Sequence, residues 1–537
     1  MTSRAFTRQL GSQSGVQLNP IQDRTQGGVL GVFDQTVALI GRFTRGRIDR
    51  PFRVNSSNFQ TLLGKPASIG LSLLNEAYVQ AYEALQRGAR ELVVQRLSTA
   101  SAVNSWAVFT SAATSTFAVS PSAPGAGTLG VRHLGCHNDG IIVKVHADVK
   151  LESGSPVAND VVSVQVCDAD GLELFRFKGS LTPGATDEFN ESFYLPDVSA
   201  NTTDLLEWTI VSGANIGPTH DGYGKNGSGV DKWATSGVLA TFAEGGTGYT
   251  STNYDTAVAA LRDSPEDFGY IISGGTRATL LISKLADLAY DTNRQFIFDV
   301  PGDLSVAGAI AFVQALGFGG VGRDHYPQAY WAPLLSRDPI NGNKVLFGTG
   351  GAQAGYRCAR NAVTNAYGLA EKNRPIAGIN GNLGRSNVTQ ILNLSDQNLS
   401  DLADAKINPV IFTRFDGTSG FYFRDSLTCA ATAKSYRKLV SVAEMSADLD
   451  ERIARIGRGV AQLPMEQAIS RMEESLEKLF GHALSSRWLV ESDDESVPPF
   501  AYEVTRSVDQ PAFRMKAVYR LHYDGVARQI ELQQSIV

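Results

Sequence analysis

Residues 407–427, INPVIFTRFDGTSGFYFRDSL, decide how this chain is read, together with residues 343–369, NKVLFGTGGAQAGYRCARNAVTNAYGL. β-Branched and aromatic residues dominate Ile407–Phe423, and Asp416-Gly417 and Gly420 predict two tight turns between short strands. A stretch rich in helix formers follows, in which Met465, Ile469, Met472, Leu476 and Leu479 recur at alternating steps of four and three. That spacing puts one apolar stripe on a helix and leaves Glu466, Arg471, Glu473, Glu474, Glu477 and Lys478 on the other face. Within 343–369, the pattern predicts a strand at 344–347, a glycine-rich turn and a helix.

Upstream, VLGVFDQTVALIGRF after Gly28 reads as a strand and Phe59–Leu63 as a short helix. Leu74, Tyr78, Tyr82 and Leu85 share a helical face within 71–86, and 91–97, ELVVQRL, reads as the next strand. Helical periodicity then disappears between about Asn104 and Tyr249, where Ser, Thr, Gly, Asn and Asp dominate. Runs 161–166 and 172–177 flank Asp168-Ala-Asp-Gly171 as a hairpin, and 216–248 reads as an exposed, mobile loop. Strands at 268–273 and 295–300 and helices at 280–291 and 304–316 then resume the alternation of strand and helix. The predicted fold is a multidomain α/β (α+β) chain. Its expected parts are an N-terminal arm (1–27), a first α/β segment (28–103), an inserted β-rich outer domain (104–250), a second α/β segment (251–345), an inner domain (346–510) and a C-terminal hairpin arm (511–537).

Both arms have readable chemistry. Residues 1–27 are polar, with Val16, Leu18 and Ile21 isolated among Gly, Ser, Gln and Arg, so they cannot bury enough surface to fold alone. Residues 513–523 alternate strictly, and Asp524-Gly525 predicts a two-residue turn into a returning strand carrying Val526, Ile530, Leu532 and Ile536. Candidate strand-pairing residues between copies are Val16, Leu18, Ile21, Tyr519, Leu521, Val526, Ile530 and Leu532.

At 537 residues, with 43% hydrophobic and 19% charged residues, the chain is an ordinary globular one of several cores. Its net charge of -6 and the absence of any Lys/Arg run argue against direct nucleic-acid binding. Residues 1–15 have no apolar h-region, so no signal peptide is expected, and no run predicts a membrane span. Four cysteines lie far apart with no CxxC pair, the pattern of reduced thiols.

Motifs of catalysis fail on context. Gly317-Phe-Gly319-Gly-Val-Gly322 matches GxGxxG but follows a helix, whereas a dinucleotide fingerprint follows a strand and opens a helix. Gly348-Thr-Gly350-Gly351 lies between a strand and a helix, yet no GK[ST] follows, which favours a tight turn over a phosphate cradle. His133, Cys136 and His137 lack the further ligands a metal needs, and Asp168-Ala-Asp170-Gly171 lacks the remaining acids of a calcium loop. No GxSxG is present. No catalytic residue, cofactor or metal is expected.

Several stretches, taken in order, resemble the tail sheath proteins of contractile-tailed bacteriophages. They are Val37–Gly41, Arg45-Gly46, Pro51, Phe59 and Leu63-Gly64; GARELVVQRL at 88–97; Tyr330-Trp-Ala-Pro333, Asp338-Pro339 and Lys344-Val345; Gly350–Gly355 with Ala359-Arg360; Ile407-Asn408-Pro409; and Phe423-Arg424-Asp425-Ser-Leu427. Tyr422-Phe423 and Asp425-Ser426 depart from the family's usual Trp-Gly and Arg-Thr-Leu. The β-rich insertion matches only in position.

The resemblance implies a structural subunit, not an enzyme. It implies six-membered rings that stack helically around a tail tube, with terminal arms adding strands to neighbours' sheets. Contraction then drives the tube through the host envelope for genome delivery. The implied partners are the chain itself, the tail tube protein, and baseplate and tail terminator or neck proteins, with no nucleic acid bound and no membrane insertion. The implied location is the virion tail, assembled in the host cytoplasm. Glu466, Arg471, Glu473, Glu474 and Lys478 become candidates for a tube-facing helix. Rival readings are the sheath of a phage-tail-like bacteriocin or secretion machine, an α/β enzyme with a β-rich accessory domain, and an adhesin or baseplate component.

Overall fold

The computed structural model describes residues 33–537 except 110–116, 127, 139, 148–149, 153–154, 158–159, 212–223, 226–230, 233, 240–241, 319–321, 433, 493, 495, 532 and 535–537. Expectations for residues 1–27, including Val16, Leu18 and Ile21, for much of 216–248, for 319–321 and for Leu532 lie outside the described residues.

Apolar runs that are buried on every residue build the centre. Strands β1 (Thr36–Gly41), β2 (Phe52–Val54), β3 (Glu91–Arg96), β4 (Tyr270–Ile272), β5 (Gln295–Val300), β6 (Pro327–Trp331), β7 (Ile407–Phe415) and β8 (Thr418–Phe423) form one sheet, ordered β2-β3-β1-β4-β5-β6-β7-β8. Pairing is parallel from β3 through β7 and antiparallel at both edges. A parallel sheet needs crossovers on its faces, so its strands lose the alternation of a half-exposed sheet. Val37 and Leu39 point into a core shared with Tyr78 and Ala81 of helix α1 (Glu76–Gln86) and Ala354 and Cys358 of helix α4 (Gly350–Asn361). Ala38 and Ile40 point the opposite way, toward helices α2 (Thr279–Thr292) and α3 (Val306–Leu316).

Between β3 and β4 lie two four-stranded antiparallel sheets. One is ordered Glu173–Ser180, Val161–Cys167, Ile142–Ala147, Ala234–Val238; the other Leu206–Ile210, Leu129–His133, Trp106–Phe109, Ala118–Ser120. Val131, Val143, Val164 and Trp208 share a core drawn from both sheets. Two helices here escaped the sequence reading. Leu195–Thr202 is short, and Ser251–Asp263 starts at a capping box in which Asn253 stands where the usual signature has Glu or Gln.

The C-terminal part has its own core. Helix α5 (Val440–Val460) and helix α6 (Met465–Ser485) pack through Met445, Leu449, Met472, Leu476 and Phe480, with Trp488 and Val504 completing the cluster.

Two expectations need correction. Gly420 makes no turn: it lies inside β8 opposite Thr413, and Asp416-Gly417 alone reverses the chain, Gly417 taking φ +77°. A boundary at 345/346 also cuts through one layer, because β7 and β8 complete the sheet begun by β1 and α4 shares the β1 core. The parallel ladder between Ala329–Trp331 and Ile407–Pro409 makes that join continuous.

Candidate assembly surfaces

Each motif of the resemblance has a local structural task. Asn408, fully buried, accepts from the Leu427 amide at 2.6 Å and donates to the carbonyls of Leu427 and Ala329 at 2.8 and 3.0 Å, joining two of the quoted stretches. The Tyr330 hydroxyl accepts from Gln353 and Arg357 of α4 at 3.0 and 2.6 Å. Gly351 and Gly355 are neither turn nor cradle. They are one turn apart inside α4, and a Cβ on them would lie 2.1 Å from the Gln80 carbonyl oxygen and 2.6 Å from that of Ala84. The glycines therefore let α4 lie directly on α1.

In open α/β sheets a ligand crevice forms beyond the C-terminal ends of the strands where the strand order reverses, here between β1 and β4. The protein's own atoms fill this place. A Cβ on Gly41 would meet the Ala77 side chain at 2.6 Å, and one on Gly275 would meet the Glu76 carboxyl carbon at 2.1 Å. The amides of Thr349 and Gly350 at the start of α4 donate to Asp299 at 2.6 and 3.0 Å, and that of Gly348 donates to Glu76 at 2.7 Å. The donors that would cradle a phosphate already hold carboxylates. Gly317 ends α3 in the left-handed conformation, so GxGxxG does follow a helix. Among the described residues no group of three or more His, Cys, Asp or Glu could hold a metal, the cysteines are free, and no helix is long and apolar enough to cross a membrane.

Helix α5 joins the sheet by charge. Glu444 accepts from the Tyr270 hydroxyl at 2.7 Å and from Arg360 at 3.0 Å, with Arg357 at 3.7 Å. Asp448 pairs with Lys372 at 3.1 Å, which also pairs with Asp34 at 3.1 Å; Glu451 pairs with Arg294, itself 3.1 Å from Asp267. Burial opposes ionisation of Glu444, but Arg360 and Arg357 outweigh it and hold the carboxyl below its ordinary range. Burial likewise opposes ionisation of Asp448, and Lys372 and Arg452 overcome it to hold that carboxyl far below. Pairs buried this way add little net stability but fix one orientation, since an unpaired buried charge is costly.

The C-terminal strands differ from the expected hairpin. Residues 515–521 do form a strand, β10 (Met515–Leu521), but its partner is β9 (Phe500–Arg506), antiparallel, with Tyr502 opposite Tyr519 and Phe500 opposite Leu521. Among the described residues no strand follows Asp524; Val526 is half-buried and Ile530 is 77% exposed. The reason lies in α6. Phe480 gathers Phe500, Tyr502 and Tyr519 at ring separations of 5.6–6.1 Å, so the aromatic face of the hairpin closes over it. The Tyr519 hydroxyl donates to Asp450 at 2.5 Å. The two strands form a two-stranded sheet, and no third strand borders it among the described residues.

On α6 the predicted charged residues separate into two sets. Glu466 accepts from Arg506 at 2.5 Å, and Glu477 accepts from Tyr502 at 2.9 Å, so both serve the β9 side. Arg471, Glu474 and Lys478 are exposed, and Glu473 is half-buried. Sequence reasoning missed the acidic face of α5, whose signal is the spacing of Glu444, Asp448 and Glu451 by four and three.

No protein-family model and no curated protein matches the chain. Solved structures do. The sheath tail protein from Desulfitobacterium hafniense is 13% identical, covers 94% of this chain and 100% of its own, and has a TM-score of 0.47. A chain of the anti-feeding prophage baseplate is 9% identical, covers 98% of this chain and 100% of its own, and has a TM-score of 0.49. A chain from the contracted sheath complex of an extracellular contractile injection system is 14% identical, covers 53% of this chain and 74% of its own, and has a TM-score of 0.40. Solved structures to which this chain is similar thus include a sheath tail protein and a chain from the contracted sheath complex of a contractile injection system.

Proposed function

We propose that the chain is the structural subunit of a contractile tail sheath, polymerising as stacked six-membered rings around a tail tube and contracting to drive that tube through a host envelope. The observation that carries this reading is the β9–β10 sheet. It is held on α6 by one face and, among the described residues, has two outer edges without a strand partner, which suits a chain that completes its sheet with a neighbour's strands. The ordered motifs of the resemblance support it, and so does the ligand crevice filled by Glu76 and Asp299, which disfavours the α/β enzyme.

Residues 1–27 and the segment after Asp524 are the strand donors, and Val16, Leu18, Ile21, Val526, Ile530 and Leu532 supply the side chains. Arg471, Glu474 and Lys478, with Glu466 and Glu473 at the border, face the tube. Contraction draws on differences in contacts between subunits, so no nucleotide is consumed. Baseplate and neck proteins cap the polymer, which matures in the virion tail after assembly in the host cytoplasm. A bacteriocin or secretion-machine sheath is the same device without a genome, and capsid genes beside its own mark the phage case.

Negative-stain microscopy of the purified chain tests the proposal, with striated tubes or stacked rings as the expected product. Deleting residues 1–20 should leave a folded monomer that makes neither. Long polymers from the truncated chain refute the role given to the arm.

A further inference from the structure

Two buried carboxylates meet where β5, α1 and the start of α4 converge. Glu76 is 5% exposed and Asp299 5%. The Gln80 side-chain nitrogen donates to Glu76 Oε1 at 2.9 Å and to Asp299 Oδ2 at 2.8 Å, so the two acids are less than two hydrogen-bond lengths apart. Among the described residues neither acid is in an ion pair; the Arg385 charge bears on both, but its bonds go to Glu83, two of 2.8 and 2.6 Å, and to the carbonyls of Phe347 and Gly348. The other hydrogen-bond partners are neutral: the Ser273 hydroxyl at 3.5 Å and the amides of Gly348, Thr349 and Gly350. Gln80 Oε1, fully buried on the amide that bridges the two acids, has no donor, and neither has Thr349 Oγ1.

We infer that Glu76 and Asp299 hold one proton between them, so that the folded chain keeps a neutral carboxylic acid at this junction in neutral solution. Like charges this close in a dry site do not both ionise. The two acids are unequal. Asp299 accepts two amides at the start of α4 and keeps the charge, which the helix N-terminus favours. Glu76 takes the proton: burial and then the Asp299 charge push its carboxyl up to about 8, against the Gly348 amide and Gln80. The junction therefore acts as a clamp on α1, β5 and α4 that binds a proton on folding. It is strongest in mild acid and weakens as pH rises from the ordinary carboxylate range, 4.5, toward 8. This inference is independent of the assembly proposed for the chain.

The test uses the full chain and the variant Glu76→Gln, in which an amide replaces the acid and keeps an acceptor for Gly348. Calorimetric unfolding at about pH 6.5, in buffers of different ionisation enthalpy, counts the protons released. The wild type should release about one more proton than the variant, and the variant's advantage in Tm should grow from mild acid to pH 8. Equal proton counts, or a Tm difference that does not change with pH, overturn the inference. So does a Tm gain in the wild type alone on adding magnesium or calcium, which assigns the pair to a cation. If Glu76→Gln fails to fold, infrared spectra of the wild type decide: the acid carbonyl band must be present at neutral pH and lost above about pH 8, and its absence refutes the shared proton.

Discussion

Replacing Gly351 by alanine tests whether close approach of α1 and α4, and not a turn, explains the glycines of 348–355. The new Cβ would sit 2.1 Å from the Gln80 carbonyl oxygen, where ordinary contact begins at 3.4 Å, and the obstacle is backbone that cannot rotate away. The helices must separate by roughly 1 Å, and overpacking of this kind costs about 1–3 kcal/mol. The better helix propensity of alanine returns about 1 kcal/mol. The upper end of the range, about 3 kcal/mol, applies, because Gly355 holds α4 against Ala84 one turn on and resists the shift, so the net loss should be about 2 kcal/mol. The control is Gly481→Ala, about one turn before the C-terminal end of α6, where nothing lies within 4 Å of the new Cβ. There the propensity gain stands alone, and stability should rise by up to about 1 kcal/mol. The overlap is confined to the contact between α1 and α4, so the reading should be local. Hydrogen exchange in peptides spanning 350–361 should accelerate about thirtyfold in Gly351→Ala, and exchange in 465–485 should slow in Gly481→Ala. Unchanged or slower exchange in 350–361 would refute the close-packing account.

Glu444→Gln should cost about 3 kcal/mol, because Arg357 and Arg360 stay buried with only a neutral partner; hydrogen exchange across 440–460 reads the loss, and an effect below about 0.5 kcal/mol contradicts it. Asp450→Asn should change the pH profile and not the fold. Burial pushes the Asp450 carboxyl up to about 6 despite the bond from Tyr519, so the wild type loses stability as pH rises from 3.8 through 6. The asparagine variant has no such loss, keeps an acceptor for Tyr519, and should show a Tm advantage at pH 8 that vanishes near pH 4; a constant difference would disprove the sign.

Much of the architecture was written in local periodicity. Helix Phe59–Leu63, strand Gln295–Val300, the turn at Asp416-Gly417 and the apolar stripe of α6 were all legible, because each depends on residues within a few positions of one another. The alternation in 515–521 likewise marked a strand. Its partner was not legible, since Asp524-Gly525 satisfies the rule for a hairpin turn and nothing local says that Phe480 will draw Phe500 and Tyr502 over Tyr519. The glycines of α4 misled for the same reason: a glycine that admits a neighbouring helix and one that makes a turn look alike until that helix is in place.

The sequence by itself thus determined most of the element types and the β-rich stretch between two runs of alternating strand and helix. These follow from composition and from periods of two and 3.6 residues, which the backbone imposes without tertiary help. Only the tertiary structure decided that 407–423 belongs to the central sheet, that Glu76 and Asp299 occupy the ligand crevice, that an acidic face of α5 meets Arg294, Arg360 and Lys372, and that β10 pairs backward with β9. Each joins residues far apart in the chain, and the physics that selects them, desolvation of charge and closure of an aromatic core, depends on what surrounds a side chain and not on its place in the sequence.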